Sequence, residues 1–464
     1  MKNNMEMRDQ SINSLLWKFS LPAIVGMLVN ALYNIVDRIF VGRGVGFIAI
    51  AATTVAFPIM LILLAISILI GVGATALISI RLGQQKIEEA ERVAGNATVM
   101  LILLPVIIGA IYLLFPDPIL IFFGASQEAL PYARDFVQII MLGAAFGSIS
   151  MGMNNFIRAE GNPRLAMLTQ VIGALINGVL NYIFIFKLGL GIKGSALATV
   201  SGQLFSAIWV LSYFLSGRSL VKIRLKNLKL QPPILLSIVS IGFAPFAMQI
   251  AHSIQQSILN KTLLVYGGDL ALSAVGIMMS IAALMFMPIV GLSQGAQPLI
   301  GFNYGARQYD RVKETFKKAI IAGTCIALAG YLVINIWPTQ IVGLFSKDTA
   351  LTEMSSHAMR VFFALFPVVG FQIIGSNYFQ AVGKPVQSTI LSLSRQALLF
   401  IPLLLILPRF WGIDGVWRTA PIADGLAVLL TATLVYFEMK NLPKSKPLDD
   451  PDEQHKSIAA SSPR

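Results

Sequence analysis

The sequence predicts an all-α integral membrane protein of twelve transmembrane helices, arranged as two six-helix lobes related by a pseudo-twofold axis along the membrane normal. Three observations lead there. Of 464 residues, 56% are hydrophobic and only 12% charged, with a mean hydropathy of +0.75, against about 25% charged in an ordinary soluble domain. Apolar stretches of about 20 residues, the length that crosses a hydrocarbon layer of about 30 Å, recur along the whole chain. The second half of the chain also repeats the first in a nearly fixed register.

The stretches run over 16–39, 47–80, 93–115, 136–157, 165–186 and 195–215, then 234–259, 270–304, 319–337, 361–381, 386–407 and 416–437. The opening residues carry both signs of charge and lack the order of a signal peptide, so the first stretch is expected to remain in the mature protein. The second and eighth stretches contain no charged residue. As straight helices they would each be about 51 Å long, so bends are expected at Pro58, Gly71 and Gly73, and at Pro288, Gly291 and Gly295. The chain then divides into a first lobe (1–216), a basic linker (217–233), a second lobe (234–439) and a tail (440–464) whose Pro, Ser and charge content predicts disorder.

The net charge of +13 does not point to nucleic acid, because the cations sit in short loops on alternate sides: 24 of the 35 Lys and Arg fall on the side that carries the termini. The positive-inside rule places that side, and both termini, in the cytoplasm. The linker sequence RSLVKIRLKNLK is then read as a topology determinant resting on anionic lipid headgroups.

The repeat fixes the architecture. Gly73 matches Gly295, Pro116 matches Pro338, Gly161 matches Gly383 and Pro163 matches Pro385, all at a shift of 222; Pro22 and Pro245 differ by 223, Gly191 and Gly412 by 221. RAEGNP answers QAVGKP, and GIKG answers GIDG. Six crossings per repeat return each half to its starting side, so the halves insert in the same orientation with a cleft between them, as in a transporter.

A carboxylate inside a bilayer is costly unless it is neutralised or used. Asp37 is such a residue, with Asn34 and Asn30 three and seven positions earlier on nearly one helix face. Arg395 and Asp424 are the other intramembrane charges; counted from their helix ends they reach similar depth and are expected to pair, with a structural role favoured over a gate. In the second half, Asp37 maps to Asn260, and His252, Gln256 and Asn377 are a possible polar site without an acid. The many Met and Phe side chains suit packing first and an adaptable pocket second. There is one cysteine, no metal-spaced His/Cys set and no phosphate-binding loop, so neither enzyme chemistry nor a cofactor is expected.

Several stretches resemble the multidrug and toxic compound extrusion (MATE) transporters, and within them the MepA-like branch: NALYNIVDRIFVGRG, RAEGNPRLAM, INGVLNYIFIFKLGLGIKGSALATVSGQ, GLSQGAQPLIGFNYGA and FQAVGKPVQSTILSLSRQ, with GIDGVW and PIAD. They span residues 11–442. The resemblance implies a monomeric antiporter in the cytoplasmic membrane that exports cationic or amphipathic drugs by alternating access, driven by protons or sodium ions. It groups Asp37 with Asn177, Asn181 and Thr199, and makes Asp37 the ion-coupling residue, with sodium possible there. Many members carry Asp where this chain has Asn181, which leaves Asp37 as the only acid in the core of that lobe. Two further readings are a flippase for lipid-linked precursors, which would want several cleft cations for phosphate, and an intramembrane enzyme.

Overall fold

The computed structural model describes residues 10–45, 47–123, 127–217, 219–343 and 349–443, and among them there is no strand. The first lobe comprises α1 (Ile12–Gly44), α2 (Phe47–Gly83), α3 (Ile87–Leu114), α4 (Pro116–Phe122), α5 (Leu130–Leu142), α6 (Ala144–Ala159), α7 (Pro163–Asn181) and α8 (Gly191–Leu215). The second comprises α9 (Pro232–Gly305), α10 (Tyr309–Ile336), α11 (Pro338–Gly343), α12 (Thr349–Phe362), α13 (Phe366–Ala381), α14 (Pro385–Leu393) and α15 (Ile401–Asn441). Helices α7 and α14 each run on into a π-helical turn, Tyr182–Lys187 and Ser394–Phe400.

Among the described residues, nine helices are long and apolar enough to cross a membrane, or eleven if the bent pairs α5–α6 and α12–α13 each form one span. The α9 trace breaks at Gly268, where φ is 61°. The run from α14 through α15 is 57 residues, far longer than one crossing requires. It folds back at Gly412, where φ is 56°. The proof is an ion pair of 2.6 Å between Arg395 and Asp424, residues that an unbroken helix would hold about 43 Å apart.

The sequence repeat is also a repeat of backbone conformation. Helices α3 and α10 are both 28 residues long and begin at Ile87 and Tyr309, again 222 apart. The α5–α6 pair bends by 53° and its counterpart α12–α13 by 51°. Left-handed backbone recurs at matched positions: Gln85 with Arg307, Gly161 with Gly383, and Gly191 with Gly412. Gln85 and Arg307 are the only non-glycine residues with positive φ among the described residues, and such a conformation persists only where its surroundings impose it. One local solution thus occurs twice.

The lobes meet through α1 and α2 on one side and α9 on the other, at positions where no side chain intervenes. A Cβ added to Gly242 would lie 1.8 Å from the carbonyl oxygen of Leu69, and one added to Gly73 would lie 2.1 Å from that of Ile238. Gly291 and Gly295 admit the backbones of Ile24 and Ser20 in the same way. The glycines expected from sequence as bend points thus also serve close packing. Inside α9 the non-helical backbone is at Gly268 alone; Gly71 meets Gly152 within its own lobe, and the other three let opposite lobes approach.

These approaches all lie towards the face that carries both chain ends. Leu69 is 14 residues from the end of α2 at Gly83, and Gly291 is 14 residues from the end of α9 at Gly305. The hydrogen bonds that cross between lobes follow suit: Ser20 Oγ donates to the carbonyl oxygen of Leu292 at 3.5 Å, and Arg311 Nη2 donates to that of Gln10 at 2.7 Å.

The linker differs from its sequence reading. Instead of resting only on lipid, it is strapped to the first lobe by three buried polar side chains. Glu160, at the end of α6, accepts from Tyr213 Oη at 2.9 Å, Ser219 Oγ at 2.5 Å, and the backbone N–H groups of Leu220 and Val221. Glu91 on α3 accepts from the Lys222 N–H and pairs with Arg224 at 3.2 Å. Asn96 accepts from the Gln231 N–H at 2.7 Å and donates to the carbonyl oxygens of Asn227 and Lys229. Burial holds the Glu160 carboxyl above the usual carboxylate range in spite of its donors. Residues 444–464, where disorder is expected, lie outside the described residues.

Candidate functional site

The polar centre of the first lobe forms where α7 and α8 cross. Gly202 makes the crossing close: a Cβ there would stand 2.9 Å from the carbonyl oxygen of Gly173 and 3.1 Å from Asn177 Cβ. At that separation a short side chain spans the gap, and Asn177 Nδ2 donates to Thr199 Oγ1 at 3.3 Å. One turn on, Asn181 Nδ2 donates to Asn177 Oδ1 at 2.8 Å. All three residues are buried, as is Ser195. The α-helix ends at Asn181 and the π-helical turn begins, a local widening often found at functional sites.

Helix α1 runs alongside. Its Gly26 lies against Gln170 and its Gly44 against Ile185, so position 37 on the α1 backbone is level with the Asn177–Asn181 turn. The side chains of Asn30, Asn34 and Asp37 lie outside the described residues. The cluster sits in the half of the lobe away from the interlobe contacts, since Asn181 and Thr199 flank the α7–α8 connection at the far face.

The three residues read as a possible polar site in the second lobe do not assemble. His252 is exposed, Gln256 Nε2 donates to Asn260 Oδ1 at 3.1 Å, and Asn377 donates to Ser293 Oγ. No hydrogen bond joins any two of them. Depth explains the separation: with the chain reversing at Gly268, Ser293 lies about 20 Å along the helix from the level of Gln256. Asn377 belongs to the closed half, beside a small void lined by Ser293, Gln297, Ile374 and Tyr378.

Arg395 and Asp424 do pair, through Nε and Oδ1 at 2.6 Å, and the guanidinium lies over the Phe286 ring at 5.2 Å. Burial of Asp424 makes the partner obligatory, because a lone carboxylate there would be an uncompensated charge.

One interlobe residue escapes a reading from sequence. Arg158 on α6 is buried, donates from Nη1 to Gln294 Oε1 of the opposite lobe at 2.6 Å and from Nη2 to Gln170 Oε1 at 3.3 Å, and has no carboxylate partner among the described residues. The available signal was the repeat itself, which places Arg158 opposite Gln380, an arginine where the other lobe makes do with an amide.

Comparison with known proteins places this geometry. The MatE family model matches residues 22–183 and again 245–406, a shift of 223 that lies within one residue of the register found above. The multidrug export protein MepA of Staphylococcus aureus (strain N315) is 29% identical over 418 residues, covering 90% of this chain and 92% of that protein. A solved structure of the MATE multidrug transporter DinF-BH has a TM-score of 0.85 at 36% identity, with 92% of this chain and 96% of that one covered. A structure described as the outward-facing conformation of a multidrug resistance MATE family transporter of the MOP superfamily has a TM-score of 0.89 at 26% identity, covering 95% and 99%.

Proposed function

The chain belongs to the MatE family of membrane transporters, and from that premise we propose that it is a secondary antiporter of twelve crossings that expels cationic or amphipathic compounds in exchange for protons or sodium ions. The observation that carries this reading is an asymmetry of contact. The lobes touch at the face bearing the chain ends, while the Asn177–Asn181–Thr199 cluster lies in the opposite half. With the chain ends in the cytoplasm, the orientation that the distribution of Lys and Arg favours, this is an arrangement closed inside and able to release cargo outside.

In that scheme Asp37 takes an ion from outside and yields it inside. A carboxylate among amides away from water is harder to ionise, so a proton is held until the site meets the less acidic compartment. Binding the ion and binding the cargo are linked if both change the same equilibrium between two lobe arrangements. The amides and the hydroxyl supply oxygens that suit a proton-bearing carboxyl or a bare sodium ion.

The test is efflux of a fluorescent cation from everted membrane vesicles, with the proton and sodium gradients collapsed separately. Export should stop with one of the two collapses. Asp37→Asn should abolish it while the protein remains folded by size exclusion and thermal melting. Undiminished export by Asp37→Asn would remove that residue from the mechanism.

A further inference from the structure

In the second lobe the Arg395 guanidinium lies against a buried carboxylate and an aromatic face. Arg395 is 20% exposed at its side chain and its Nε holds Asp424 Oδ1, while its guanidinium plane lies over Phe286. Its two Nη groups make no hydrogen bond to any described residue. A carboxylate beside an aromatic face is the combination that binds organic cations, through charge and through the ring quadrupole. The pair is therefore underused as an ion bridge, with one contact where a guanidinium could make two.

The surroundings suit exchange. Arg395 lies in the π-helical turn Ser394–Phe400, and the matched position of the first lobe is Gly173 within a regular helix, so the charge, and a wider turn at this level, belong to the second lobe. The side-chain oxygens of Gln255 on α9 and Gln396 beside Arg395 are buried without a hydrogen-bond partner among the described residues. On α9, the face that meets the first lobe at Gly242 is continued by Gln249, Gln256 and Asn260 at helical spacing. His252 lies about 80° to one side of that face and within electrostatic range of Arg395. Arg395 thus lies near a residue that flanks this face.

We propose that Arg395 is an internal competitor for cationic cargo: in the arrangement closed at the chain-end face it occupies Asp424 and the Phe286 ring, and a bound organic cation takes the same two groups when Arg395 swings away. The competition weakens cargo binding in the releasing state. This deepens the reading of cationic export and rests on it.

The experiment measures binding of tetraphenylphosphonium to the purified full-length protein in lipid nanodiscs, together with its efflux from vesicles. Arg395→Gln should bind about tenfold tighter, the worth of roughly 1.4 kcal/mol, and export more slowly because release is hindered. Asp424→Asn added to Arg395→Gln should return the affinity to that of the native protein or below it. If Arg395→Gln does not fold, Arg395→Lys carries the test, since it keeps the ion pair and loses the flat stacking on Phe286; it should bind about threefold tighter. Unchanged or weaker binding in the folded variant, with the native protein exporting the cation normally, overturns the competitor and leaves the antiporter standing. A native protein that neither binds nor exports this cation takes both down.

Discussion

At the residue scale, Asn177 holds the first-lobe cluster together, because its amide both accepts from Asn181 and donates to Thr199. Asn177→Ala removes both links and should lower stability by about 1–3 kcal/mol, with a loss of export well beyond that of Thr199→Ser, which retains the hydroxyl; melting and vesicle efflux measured together separate the two effects. The burial of Glu160 predicts a pH effect of defined sign. Its folded pKa is raised above the usual 4.5, so the folded protein holds that proton more tightly than the unfolded chain does. The stability it contributes is present below the usual carboxylate range and is lost as pH rises through the raised value. Glu160→Gln should flatten that part of the melting profile, and an unchanged slope in detergent would contradict the assignment. That Asn177, Asn181 and Thr199 belong together was legible from sequence through the family resemblance. Glu160 and Glu91 were not, because an acid at a helix end reads as solvated until the strap that covers it is seen.

At the scale of elements, the glycines of α2 and α9 set how closely the lobes can shut. Gly242→Val places methyl groups where the Leu69 carbonyl now sits, so the arrangement closed at the chain-end face should lose population to the opposite one. Spin labels on the far ends of α3 and α10 should then report shorter separations, and export should fall. Gly276→Ala is the control, with nothing within 4 Å of the added carbon; it should stabilise by up to about 1 kcal/mol through helix propensity. Helix positions followed closely from hydropathy and the internal repeat, since a bilayer dictates length and a duplicated half dictates register. The role of the glycines did not, because bending and close approach both favour a residue without Cβ, and only the partner across the interface distinguishes them. His252, Gln256 and Asn377 failed to gather for a similar reason: Gln256 satisfies its neighbour Asn260 on the same helix and looks no further.

At the scale of the molecule, Arg158 joins the lobes through Gln294 with amides as its acceptors. Gln294→Leu leaves a buried guanidinium with one partner, and the closed face should open; exchange of backbone amides in the Ser20–Ile24 and Gly291–Gly295 segments should accelerate by more than tenfold, for a loss above about 1.4 kcal/mol. The twofold layout was readable from the repeat because one register runs through both halves, and the backbone follows it. What the repeat concealed is where its halves diverge, with Arg395 opposite Gly173 and Glu160 opposite Val382. The strap has a mechanical corollary. Because Glu160, Glu91 and Asn96 secure residues 219–231 to the first lobe, the free covalent joint between the lobes shrinks from a seventeen-residue tether to the few bonds around Gln231 and Pro232. A gene cut there and expressed as two fragments would sever the covalent joint while leaving each lobe whole, whereas a cut before Ser219 would hand the strap to the wrong fragment.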